Sequence, residues 1–186
     1  AAMKMVTDME RIGDHAADIS EMTVVMADHP YQLNLGSVNR MASETTVMLI
    51  QSIEAYIEKD ISKAKKVIER DDVVDGLFDQ LKSEIIEMIH SKPEEAEQTA
   101  DMLMVGKYFE RIGDHATSLV AAARELNEKE LQFSPEAQAE LAVICAAVSD
   151  VCDMACKSFI NNDMTLAALV EPLEEVIDKL NKDIKQ

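Results

Sequence analysis

The heptapeptide Glu10-Arg11-Ile12-Gly13-Asp14-His15-Ala16 recurs unchanged as Glu110-Arg111-Ile112-Gly113-Asp114-His115-Ala116, one hundred residues further on. So long an identity is far beyond chance in a chain of 186 residues. Self-similarity at a fixed offset is the mark of a duplicated unit, and it constrains the fold before any single element does. A weaker match pairs residues 56–81 with 159–184, at an offset of 103. There Tyr56, Ile57 and Asp60 answer Phe159, Ile160 and Asp163. Ala64, Val67, Val74, Asp75 and Leu77 answer Ala167, Val170, Ile177, Asp178 and Leu180. Offsets that nearly agree are those of one unit copied with slightly different loops.

The periodicity of apolar residues is helical almost throughout. It predicts helices over 3–28, 37–59, 61–90, 92–127, 135–161 and 164–184. Val38, Met41, Thr45, Met48, Leu49 and Ser52 form a small-to-medium stripe on the second. Ser37, Asp60, Ser134 and Asp163 are expected N-caps, and Ser91-Lys92-Pro93-Glu94 reads as a capping box with Pro in the first turn. The clearest break is His29-Pro30 to Gly36. Short connections between long amphipathic helices make antiparallel neighbours.

The expected fold class is all-α, with tandem three-helix bundles. Residues 1–29 read as the third helix of a three-helix repeat. Residues 37–127 form a complete repeat, and 135–186 the first two helices of another. The chain is then either a circular permutation, in which 135–186 packs on 1–29, or a segment of a longer array.

Composition agrees. With 47% hydrophobic residues but only 4% aromatic and no Trp, the core must be aliphatic. Five Gly and four Pro are too few for the many turns of a sandwich or barrel. The 36 acidic against 18 basic residues leave a net charge of −18, which repels phosphate backbones and argues against nucleic-acid binding. Such a surface suits a cation or a basic protein partner. No apolar run approaches the roughly 18–20 residues of a membrane span, and no basic-then-apolar leader opens the sequence. Cys145, Cys152 and Cys156, odd in number and on one predicted helix, are expected as buried small hydrophobes in a reducing, cytoplasmic setting. The 12 Met are scattered and read as core filler.

The repeated motif carries the candidate chemistry. Glu10, Asp14 and Asp18 follow one another at intervals of four and share a helix face, as do Glu110 and Asp114; Ser118 stands where a third acid would. Asp71, Asp72 and Asp75 fall in one turn of the third helix, and Glu174, Glu175 and Asp178 in the matching turn of the sixth. Facing carboxylates are costly to bury unless a cation or protons neutralise them. Acids four apart are also common on solvated faces, paired with residues such as Arg11 or Arg111, and a metal-free scaffold is the bland alternative. Exact repetition of polar residues favours a metal site. His15 and His115, about 100° round the helix from the adjoining Asp, are read as helix-contact residues or as residues supporting the ligands, with a ligand role as the alternative. Gly13 and Gly113, mid-helix at a cost of about 1 kcal/mol each relative to Ala, are expected to permit close helix approach. No glycine-rich phosphate loop, no nucleophile–base spacing and no Glu-x-x-His pair argues for an enzyme.

The segments Asp8-Met9-Glu10-Arg11-Ile12-Gly13-Asp14-His15-Ala16 and Tyr108-Phe109-Glu110-Arg111-Ile112-Gly113-Asp114-His115-Ala116 resemble the signature of the PhoU family. These are bacterial regulators of phosphate uptake. The resemblance implies two three-helix bundles related by a pseudo-twofold, with clusters of transition-metal ions, iron or zinc, held by carboxylates. Carried over, Glu10, Asp14 and Asp18 serve one cluster and Glu110 and Asp114 the other. Asp72 and Asp75, and Glu175 and Asp178, take the acidic positions of the adjoining helices. It also implies a cytoplasmic, non-enzymatic role between a phosphate importer and a sensor histidine kinase, with the membrane reached only through a partner or a parent transporter. A homo-oligomer is compatible with it. Residues 133–137 and 170–178 look more like the PhoU-type tail of bacterial sodium/phosphate cotransporters, so a regulatory domain of such a transporter is the alternative.

Overall fold

A computed structural model describes residues 2–27, 36–130 and 133–184. Helix α1 spans Ala2–Ala27, α2 Gly36–Glu58, α3 Ile61–Ser91, α4 Ala96–Glu128, α5 Pro135–Asn161, α6 Met164–Ala167 and α7 Val170–Ile184. A single 3-10 turn, Pro93–Glu95, leads into α4. The break expected at His29-Pro30 lies outside the described residues. None of the described helices is long and apolar enough to cross a membrane.

Three of the expected caps form. Asp60 accepts from the Ser62 and Lys63 amides, Ser134 from Ala137 and Asp163 from Leu166, each relieving amide groups that have no partner inside the helix. Two others do not. Ser37 lies inside α2, buried, and its hydroxyl donates to Glu84 Oε2 at 2.5 Å. Ser91 stays in α3 and donates to the Met88 carbonyl at 3.1 Å, so the expected capping box is replaced by the 3-10 turn behind Lys92.

The sixth expected helix is divided into α6 and α7. Pro172 explains the break: it has no amide proton, and its ring would collide with the carbonyl of Ala168, four residues back. The chain therefore kinks at Ala168-Leu169 and resumes at Val170.

Helices α2, α3 and α4 pack on one another as one three-helix bundle, and α1, α5 and α7 as a second. The C-terminal helices thus close on the N-terminal one. Between bundles α1 meets α4 and α2 meets α5. Each of these is a helix against its own repeat counterpart, which is the pairing a pseudo-twofold axis produces.

The core is aliphatic and sulfur-rich. Met5, Met9, Ile12 and Ile19 of α1 are fully buried, as are Met41, Met48 and Leu49 of α2, Leu81 of α3 and Ile112 and Leu119 of α4. The whole stripe from Val38 to Ser52 is buried. Phe109, fully buried, meets Phe159 edge-on with ring centres 5.8 Å apart. The three thiols are buried, and burial pushes Cys145 up to about 11.

Candidate metal centre

The repeated motif is mid-helix on both α1 and α4, and its glycines are where neighbouring helices come close. A Cβ on Gly13 would sit 3.3 Å from Ile177 Cδ1 and 3.8 Å from Glu174 Cγ, so α7 lies directly against the motif. A Cβ on Gly113 would sit 3.4 Å from Asp71 Oδ1 and 3.6 Å from Met48 Cε. The bare backbone brings a carboxylate helix beside the Glu-x-x-x-Asp face in each bundle.

On the α1–α7 face, oxygens of Asp14, Glu174 and Asp178 converge within 4.8 Å. Burial, then the charges of Asp178 and Asp14, push Glu174 up to about 7. Asp14 is raised by burial, then by Asp178 and Glu10. On the α3–α4 face Asp71 is pushed to about 6 by burial, then by Asp75 and Asp114. Asp75 and Asp114 are raised by burial first and by Glu110 next. Asp71 Oδ1 is buried, and a hydrogen bond with Thr117 opposes the rise only in part. Both faces are sets of crowded oxygen donors whose mutual repulsion a cation would relieve.

The neighbouring-helix acids differ by one position from those the family resemblance supplies. Glu174 takes the half-buried inward place and Glu175 is exposed; Asp71 takes it and Asp72 is exposed, as are Asp14, Asp75 and Asp114 at the open rim of the two faces. A signal was present. Asp71 falls on the buried apolar row Val67–Val74, four residues after Val67, and Glu174 on the row Val170–Ile177, four after Val170. A one-residue shift turns a side chain about 100° away. Asp18 is also placed differently: its Oδ2 lies 3.3 Å from His15 Nδ1. Glu10, Asp14, Glu110, Asp114, Asp75 and Asp178 lie on the two faces named above.

The two motif histidines, His15 and His115, occupy the α1–α4 seam. His15 stacks on Tyr108 at 5.8 Å and on His115 at 5.9 Å between ring centres, and burial holds His15 below its ordinary value. His115 Nδ1 lies 2.9 Å from Asp8 Oδ1, and the Ser118 hydroxyl donates to Asp8 Oδ2 at 2.6 Å. Hydroxyl and imidazole are both engaged by the one carboxylate, an arrangement that ties helices together and activates no nucleophile. Asp8, only 7% exposed, gave no signal in sequence because its partners lie on another helix.

Fold and motif together define a double helical bundle with carboxylate faces repeated about a pseudo-twofold. The PhoU domain model matches residues 38–123. The chain is 35% identical over 128 residues to the Phosphate-specific transport system accessory protein PhoU homolog of Aquifex aeolicus, covering 69% of this chain and 58% of that one. It is 33% identical over 117 residues to the homolog of Clostridium acetobutylicum (63% and 53%) and 30% over 124 residues to that of Borreliella burgdorferi (64% and 56%). The matches span little more than half of those relatives' lengths. No solved structure matches significantly. The chain belongs to the PhoU family.

Proposed function

We propose that the chain is a non-enzymatic regulator of phosphate uptake and phosphate-starvation signalling, whose two carboxylate faces hold transition-metal ions. The observation that carries this reading is the duplicated pairing of Glu-x-x-x-Asp with an acidic turn of a neighbouring helix, closed by Gly13 and Gly113. Asp14, Glu174 and Asp178, with Glu10 beside them, would hold one centre. Asp71, Asp75, Asp114 and Glu110 would hold the other. The donor set fits iron or zinc, both of which accept carboxylate oxygens, and the oxygens of Asp14, Glu174 and Asp178 already lie within 4.8 Å of one another. Bound ions would supply the positive charge that lets these acids stay ionised side by side, and so brace α3 on α4 and α7 on α1.

The relatives are named as accessory proteins of a phosphate-specific transport system. By that likeness the partner is a phosphate transport system; a sensor histidine kinase as second partner and a cytoplasmic setting are what the motif's family resemblance adds to the proposal. The cotransporter reading draws its support from residues 133–137 and 170–178; long apolar spans elsewhere in the parent gene would decide for it. Elemental analysis of the purified chain tests the metal reading. Iron or zinc should copurify and be lost in Asp14→Asn/Asp114→Asn. The same variant should fail to silence a phosphate-starvation reporter in a strain lacking the native copy. A metal-free wild-type chain that silences the reporter would overturn the metal half.

A further inference from the structure

A cavity of about 490 Å³ opens where the C-terminal ends of α2 and α4 meet the first half of α5. Helices α2 and α4 belong to one bundle and α5 to the other, so it lies at the junction between bundles. Its volume is that of a small-molecule site, roughly 300–1,000 Å³. Leu126 and Cys145, both buried, and the half-buried Tyr56 and Phe133 form its walls. Lys59 and Asn127 line both the cavity and a neighbouring hollow, and so make the lip between the two. Glu130 borders the outer hollow and not the cavity.

The lip carries a spare cation. Lys63 draws the nearby acids, Glu54 at 2.7 Å and Glu58 at 2.9 Å, and among the described residues no acid pairs with Lys59. Burial, then Cys145, raises Tyr56, so its hydroxyl keeps its proton and can donate. The other copy of the repeat lacks both groups. There Phe159 answers Tyr56 and meets the Phe109 ring edge-on, and Asn162 answers Lys59. The counterpart of Phe109 is Met9, whose sulfur lies 3.9 Å from Cys145 Sγ, so no second ring faces Tyr56 from that position. An apolar chamber with one ammonium at its mouth suits an anion with an apolar tail.

We propose that this cavity binds an amphipathic carboxylate, its chain against Leu126, Phe133 and Cys145 and its head group on the Lys59 ammonium. An occupant would touch helices of both bundles and fasten them together.

Calorimetric titration of the full chain with decanoate, below its micelle concentration, tests this. One saturable site is expected, with affinity rising about fourfold per added methylene from hexanoate to decanoate. Decyltrimethylammonium should bind at least tenfold more weakly, although the net charge of −18 favours a cation everywhere else. Lys59→Asn should weaken decanoate about tenfold, the scale of a hydrogen bond to a charged group. Lys59 has φ 54° and Asn162 φ 52°, so asparagine keeps the left-handed backbone and the fold. Ala142→Trp, which fills the cavity, should abolish binding, with circular dichroism to show that the helices remain. Saturating decanoate should raise the Tm of the wild type alone. No saturable binding, an affinity independent of chain length, equal affinity in Lys59→Asn, or undiminished binding in a folded Ala142→Trp chain would each overturn the proposal.

Discussion

His115 and Asp8 meet 2.9 Å apart across the α1–α4 seam, joining two helices 107 positions apart in the chain. Ser118 donates to the other oxygen of the same carboxylate. The repeat counterparts are His15, Tyr108 and Asp18, and there an aromatic stack takes the place of the hydrogen-bonded pair. The seam between the bundles is thus latched on one side and stacked on the other.

Removing the latch is expected to cost stability. Asp8→Ala leaves the His115 and Ser118 donors without their acceptor in a seam closed to most solvent, at about 2 kcal/mol. Denaturant titration of Asp8→Ala, Ser118→Ala and the double variant measures it. The effects should be less than additive, because both substitutions break the same bond. Strict additivity would show that Ser118 and Asp8 are energetically independent.

Gly106 marks a tight approach of α3 to α4. A Cβ there would stand 2.2 Å from Leu81 Cδ2 and 3.5 Å from Phe78 Cδ2. Leu81 is fully buried and has little room to withdraw. Gly106→Ala gains about 1 kcal/mol of helix propensity but overpacks the core at a cost of about 1–3 kcal/mol, so the variant should be the less stable. A large-to-small relief, Leu81→Val added to Gly106→Ala, should recover part of the loss. A Gly106→Ala chain with an unchanged or raised midpoint would show that the helices can part freely.

The metal-stripped chain should lose stability as pH rises. Glu174 is held at about 7 in the fold against an ordinary 4.5, mainly by burial and then by Asp178 and Asp14. Between those values the folded form binds more protons than the unfolded one, so stability is highest below about pH 4.5 for this group and is lost as pH climbs through about 7. Asp71 contributes in the same direction up to about 6. Thermal melts in chelator across that range should show a falling Tm, flattened by Asp178→Asn. Divalent cation should raise Tm most at the upper end, where the acids are ionised. A Tm that rises through the window would contradict the crowding of these carboxylates.

Much of this was legible in the sequence. The caps Asp60, Ser134 and Asp163 placed three helix starts, the stripe from Val38 to Ser52 placed the buried face of α2, and the repeat named the two motif helices as counterparts. What escaped has local physical causes. The apolar period runs through Pro172 without a break, although its ring excludes the carbonyl four residues back. Ser37 and Ser91 resemble caps by type, yet each lies inside a helix and its hydroxyl donates, to Glu84 and to the Met88 carbonyl, where a cap would accept from an amide. Gly106 and Asp8 act through partners on other helices, and nothing in their own neighbourhood announces them.

The ligand register is the sharpest point on which resemblance and packing part, and single substitutions separate them. Glu174 lies on the buried row of α7 with its carboxylate beside Asp14 and Asp178, whereas Glu175 is exposed. The same holds for Asp71 and Asp72 on α3. Glu174→Gln should weaken metal binding at the α1–α7 face by about tenfold or more, since it removes a charged oxygen donor from the set. Glu175→Gln should leave it unchanged apart from a small, salt-screened loss of surface charge. Asp71→Asn and Asp72→Asn should divide in the same way at the α3–α4 face. Calorimetric titration of the four variants with Mn²⁺, at low and at moderate salt, reads both the affinity and its screening. If Glu175→Gln and Asp72→Asn are instead the damaging pair, α3 and α7 are rotated by one residue relative to the motif helices, and Gly13 and Gly113 must then serve some purpose other than admitting Glu174 and Asp71.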